Sequence, residues 1–170
     1  MPASARFSVL QEAPLTQTAQ TLSTDATAQI AEALNQCVAE TAVTTMLAQN
    51  FHWNVTGMAF GPLHDLFQKI YEDHFVAQDD LAERIKALDA HAEGTLAGML
   101  KRSKVAEVTG VPTAEEMIRL MKDAQETLAE TIAGAGELAA GHGDTLTEDL
   151  CIARGQTHEK FAWMLRAHLA

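Results

Sequence analysis

Cysteine occurs only twice in this chain, at Cys37 and Cys151, with no Cys-x-x-Cys pair and no cysteine at metal-ligand spacing from a histidine. A disulfide framework and a thiolate metal site are therefore disfavoured, and both thiols are expected as small buried hydrophobes. No run of about 18 apolar residues exists, and the N-terminus lacks the basic-then-apolar order of a secretory leader, so a cytoplasmic protein without membrane spans is expected. Basic residues are also scarce: 12 Lys and Arg stand against 23 Asp and Glu, for a net charge of −11. Such an excess repels phosphate, and the only dense basic group is Lys101, Arg102 and Lys104. Aromatic residues make up 5% of the chain and prolines number four. With alanine and leucine abundant and β-branched runs few, the expected fold class is all-α.

What is present is one well-sized hydrophobic complement, 47% of 170 residues, enough for a single core. Residues 1–22 hold two prolines, much Thr, Gln, Ala and Ser, and only Arg6 and Glu12 as charges, the pattern of a flexible N-terminal tail. Residues 23–170 carry the helical patterning. A first helix starts at Ser23, Thr24 or Asp25 and ends between Asn54 and Gly57, with Gly57 suited to a C-terminal cap. A second begins at Gly61-Pro62 and runs without glycine or proline to Glu93, bounded by Gly94. Residues Thr95 to Val105 suggest a short helix in the long middle connection. A T-x-x-E capping box, Thr113 with Glu116, opens a third long helix, weakened at Gly134 and Gly136 and broken at Gly141 and Gly143. Asp144 caps the fourth, which continues through Leu165. Four long helices with one long middle connection make a four-helix bundle with a crossover.

The stretch from Asn50 to Arg84 carries the candidate chemistry. His52 ends the first helix and His64 opens the second, so a short loop brings both imidazoles to one end of a hairpin. Taken singly, each is equally readable as a structural residue. Asp79 and Glu83 stand one turn apart on one helix face; alone, such a pair reads as a solvated surface with Arg84 and Lys86 as neighbours. Asp79 lies 15 residues beyond His64, roughly 22 Å along a straight helix, so one chain cannot bring both to one ion. If all four residues bind together, a second copy must supply the carboxylates. Histidine with carboxylate suits iron, manganese or zinc. The Glu-x-x-His spacing of a di-iron site within one bundle occurs nowhere in the chain.

These residues resemble the Dps family, the bacterial mini-ferritins. The likeness rests on His52-Trp53, Gly57, Phe60, His64, Asp79 and Ala82-Glu83-Arg84, with His158-Glu159-Lys160 and Trp163 near the end. It implies a ferritin-like subunit assembled as a hollow homo-dodecamer that oxidises Fe(II), preferentially with hydrogen peroxide, at interfaces between subunits and stores ferric mineral. It further implies His52 and His64 from one subunit and Asp79 and Glu83 from its partner, with iron as the metal and zinc as a possible substitute. Trp53 would quench oxidising radicals or serve as an aromatic at the dimer contact. Where the family usually has a carboxylate, four residues after the second histidine, this chain has Gln68, so a second iron position is expected to be weaker or completed by Asp65 or Glu72. Asp144, Glu148 and Asp149 fall where related cages line a cation pore, and equally where a helix N-terminus favours acid. DNA-coating members use lysine-rich tails, whereas residues 1–24 hold no lysine, so DNA binding is expected to be weak. The competing expectation is a non-catalytic DNA-protecting or scaffold oligomer whose histidines are structural or hold zinc.

Overall fold

A computed structural model of the chain describes residues 22–169. The expected tail, apart from Leu22, lies outside the described residues. Five helices follow in order: α1 Thr24–Asn54, α2 Phe60–Ala87, α3 Leu96–Arg102, α4 Ala114–Gly141 and α5 Thr145–Ala167. Here α3 is the short helix of the crossover, and no strand occurs among the described residues.

Start signals act as their chemistry dictates. Ser23 caps α1 by accepting the Ala26 N–H, and Thr113 and Glu116 form the complete capping box of α4. Asp144 caps α5 through the Thr147 N–H. Helix α2 begins at Phe60, two residues before Pro62; the missing proline N–H falls in the first turn, where no intrahelical partner is needed.

One boundary, the end of α2, and one cap, Gly57, differ from the pattern of the residues, whereas α4 ends at Gly141 as the pattern has it. Helix α2 stops at Ala87 rather than Glu93, because Asp89 adopts φ +58° and closes a Schellman motif. Asp89 N–H bonds Lys86 O at 2.9 Å and Ala90 N–H bonds Ile85 O at 3.2 Å, so the orphaned carbonyls are satisfied without glycine. Gly57, at φ +101°, does not cap α1; it turns the loop, accepting the Phe60 N–H. Helix α4 runs unbroken through Gly134 and Gly136, and a Cβ at Gly136 would lie 3.0 Å from Cys151 Cβ. Glycine there lets α4 and α5 approach closely.

Helices α1 and α2 form one hairpin and α4 and α5 a second, with α1 on α4, α2 on α5 and α3 on α1. The interior holds two apolar clusters. One contains Phe51 and Phe67, with ring centroids 5.6 Å apart, together with Met117, Met121 and Leu165. The other contains Ile30, Leu34, Ile85 and Ile132 and includes Cys37 and Cys151. Both cysteines are free and buried; burial pushes the Cys37 thiol up and takes Cys151 up to about 11. They behave as small apolar residues, as expected. Among the described residues no helix is long and apolar enough to cross a membrane.

Polar side chains also enter the bundle interior. His74, Gln125 and His158 of α2, α4 and α5 are all buried. His158 Nδ1–H donates to Gln125 Oε1 at 2.9 Å, the Gln125 amide donates to His74 Nε2 at 3.0 Å, and His74 Nδ1–H donates to Asp73 at 3.2 Å. Arg154 closes the chain on Asp73 at 2.7 Å. Burial pushes both imidazole pKa values down, His158 to about 2. Burial opposes ionisation of Asp73, but its bonds to His74 and Arg154 outweigh that and hold its carboxyl below the usual range. Each member thereby has a partner in a setting where an unpaired polar group costs about 1–3 kcal/mol.

Candidate metal centre

The α1–α2 loop brings His52 and His64 face to face, with ring centroids 3.6 Å apart and planes inclined by 21°. Each imidazole bonds the other residue's main chain: His52 Nδ1 to His64 O at 2.9 Å, and His64 Nδ1 to His52 O at 2.9 Å. A carbonyl only accepts, so each Nδ1 carries a proton, and in the neutral ring the lone pair is left on Nε2. A histidine ligand needs just this arrangement, one ring nitrogen anchored and the other free. Phe60 stacks on His64 at 5.0 Å, and Tyr71 meets His52 edge-on at 5.4 Å. Trp53, beside them, is 64% exposed.

The neighbouring polar positions offer weaker donors. Gln68 spends its amide N–H on Glu72 Oε1 at 2.7 Å, which leaves its carbonyl oxygen as the only metal-compatible atom. Asp65 is exposed on the same helix. Asp79 and Glu83 are exposed near the far end of α2. Neither makes an ion pair among the described residues, because the nearby cations are engaged elsewhere. Arg84 reaches Asp144 and Thr147 at 2.7 Å each, and Lys86 bonds Ala90 O. With their own helix separating them by about 22 Å, the histidine pair and the carboxylate pair stay apart in one chain. Among the described residues no group of three or more His, Cys, Asp or Glu side chains is placed to hold a metal.

A groove of about 590 Å³ is walled by α1, α2 and α3. Its lining includes Asn50 near the histidine end and Gln78 beside Asp79, with Met46, Phe75, Leu96 and Leu100 along it. Those four are 54%, 72%, 85% and 43% exposed, an apolar face of a kind that usually meets a partner.

At the other candidate region, Asp144 is buried and bonded to Arg84, Thr147 N–H and the Thr147 hydroxyl. Burial would raise its pKa, but the Thr147 and Arg84 contacts hold it low. Glu148 is half-buried and Asp149 exposed, so these two are the carboxylates facing solvent there. Sequence patterning did not find the Arg84–Asp144 tether or the role of Gln125. Only His74, a polar residue at a core position of α2, hinted at the buried network.

Residues 31–170 match the family model for the ferritin-like domain. The chain is 36% identical over 141 residues to general stress protein 20U of Bacillus subtilis, covering 83% of this chain and 97% of the relative. It is 37% identical over 142 residues to DNA protection during starvation protein 2 of Bacillus anthracis, again covering 83% and 97%. The crystal structure of a Dps protein from Vibrio cholerae, described as one of the ferritin-like diiron-carboxylate proteins, superposes with a TM-score of 0.84 at 33% identity, over 88% of this chain and 94% of that one. With five helices in ferritin-like order and this likeness along most of its length, the chain belongs to the Dps family of ferritin-like proteins.

Proposed function

We propose that this protein is an iron-storing cage that oxidises Fe(II), preferentially with hydrogen peroxide, at sites shared between two copies of the chain. The observation that carries this is the pair of incomplete half-sites at opposite ends of α2, the first made by His64 with His52 of α1. At one end two Nε2 lone pairs are fixed in place; at the other two bare carboxylates stand one turn apart. A two-fold axis across the apolar groove sets α2 antiparallel to its mate, so that His52 and His64 of each copy meet Asp79 and Glu83 of the other. Nitrogen and carboxylate oxygen suit Fe(II), with zinc as a competitor.

Iron is the substrate here. Two Fe(II) supply the two electrons that take one peroxide and two protons to two waters, so no hydroxyl radical need be released. Gln68 presents only a neutral oxygen, so we assign one tight and one weak metal position per site. Trp53, exposed beside the histidines, either intercepts stray oxidant or packs against the second copy. Glu148 and Asp149 draw cations toward the interior, while Asp144 serves mainly as cap and tether.

The relatives' names bring in the second reading, a DNA-protecting assembly. Charge opposes it, since a dodecamer of chains at −11 each carries −132. Measuring peroxide consumption by Fe(II)-loaded protein tests the main reading. Wild type should consume peroxide with two Fe(II) oxidised per molecule, and Glu83→Ala should lose at least tenfold in rate; equal rates would defeat it.

A further inference from the structure

Among the helices α3 packs on α1 alone, and it is only seven residues long with Met99 as its single buried residue. One buried side chain is a weak hold for a helix that forms a wall of the apolar groove. A polar edge of α1 adds further restraint. Asn35 is 6% exposed and works in both directions, its amide donating to His91 O at 2.9 Å and its carbonyl oxygen accepting the Glu93 N–H at 2.8 Å. One residue on, the Gln36 amide donates to Arg102 O at 2.7 Å and to Glu40 Oε1 at 2.6 Å. The Arg102 guanidinium pairs with Glu32. Asn35 therefore grips the chain entering α3, and Gln36 the chain leaving it.

The chain entering α3 and the last residue of α3 are both tied to α1 by bonds between side chain and backbone. Between them α3 turns Leu96 and Leu100 outward, alongside Met46 and Phe75. We infer that Asn35 and Gln36 are assembly-positioning residues: they hold α3 in the orientation that makes this face fit a second copy of the chain. The inference rests on the shared-site reading, which requires a second copy at this groove. It adds that the fit is set by two amides that lie outside both proposed half-sites.

The full-length chain tests this by light scattering after size-exclusion chromatography, with far-UV circular dichroism in parallel. Asn35→Leu removes both crossover bonds, and Asn35→Asp keeps the acceptor for Glu93 but not the donor to His91. Both variants should keep the wild-type helical signal while the assembled fraction at a fixed micromolar concentration falls at least fivefold. Adding Asn35→Leu to a Leu96→Asp, Leu100→Asp chain should cause no further loss of assembly. A folded Asn35→Leu protein that assembles like wild type overturns the inference. So does loss of the helical signal in both variants, which would make Asn35 a folding residue. A wild-type chain that stays monomeric contradicts the shared-site reading itself, whereas an assembled wild type that fails to oxidise iron contradicts only the activity.

Discussion

His52 and His64 each donate Nδ1–H to the other's main-chain carbonyl, at 2.9 Å in both directions. This reciprocal clasp fixes the tautomer of both neutral rings, so an ion bound at the proposed site would meet two lone pairs already oriented.

His64→Ala removes one ligand and the ring stacked on His52, but keeps the main-chain carbonyl that anchors His52 Nδ1. Its effect on Fe(II) affinity should be that of one lost donor, about 10–100-fold. Anaerobic Fe(II) titration of the variant checks this, and unchanged affinity would place the metal elsewhere.

Gln68→Asp restores an anionic oxygen four residues after His64. The same titration should pass from one tight Fe(II) per shared site in wild type to two in the variant. Two equally tight ions in wild type would show that Gln68 is no handicap.

Arg84 ties the carboxylate end of α2 to the start of α5 through Asp144, whose side chain is 4% exposed, and Thr147. Arg84→Ala strands a buried carboxylate and should cost about 2–4 kcal/mol. Urea unfolding at matched protein concentration measures it; a change below about 1 kcal/mol would mean that solvent readily replaces the guanidinium.

His74 and His158 have folded pKa values below the ordinary 6.5, burial being the main cause. A group depressed in the folded state stabilises above its unfolded pKa and loses that contribution as pH falls. Stability should thus be full above pH 6.5 and decline below it, by about 1.4 kcal/mol per pH unit for each imidazole that must stay neutral. Asp73, also held low, adds its own loss only below its ordinary 3.8. Urea midpoints between pH 7.5 and 5 test the sign, and a flat profile would contradict it.

How much of this was legible beforehand follows the range of each interaction. Caps act within three residues, so Thr113 with Glu116 and Asp144 were readable directly. The end of α2 was not, because Asp89 takes the left-handed conformation that glycine usually supplies. The two histidines were placed together by loop length, but their mutual carbonyl bonds depend on ring orientation, which spacing does not encode. Arg84 looked like a neighbour for Glu83 on the helix surface; its partner lies 60 residues away on α5. Gln125 gave no signal, since a glutamine in a helix is ordinarily a surface residue and only the packed bundle encloses it between His74 and His158.

That two copies complete each site is tested most directly by mixing two disabled chains. One carries His52→Ala with His64→Ala, the other Asp79→Ala with Glu83→Ala, and each alone should be inactive. Half of the randomly formed two-fold pairs are mixed, and each mixed pair holds one intact site of two. Co-assembly from the unfolded chains should therefore restore about a quarter of wild-type peroxide-dependent Fe(II) oxidation. Recovery near that level is the result expected of a shared site; no recovery in a mixture shown to contain both chains would contradict it.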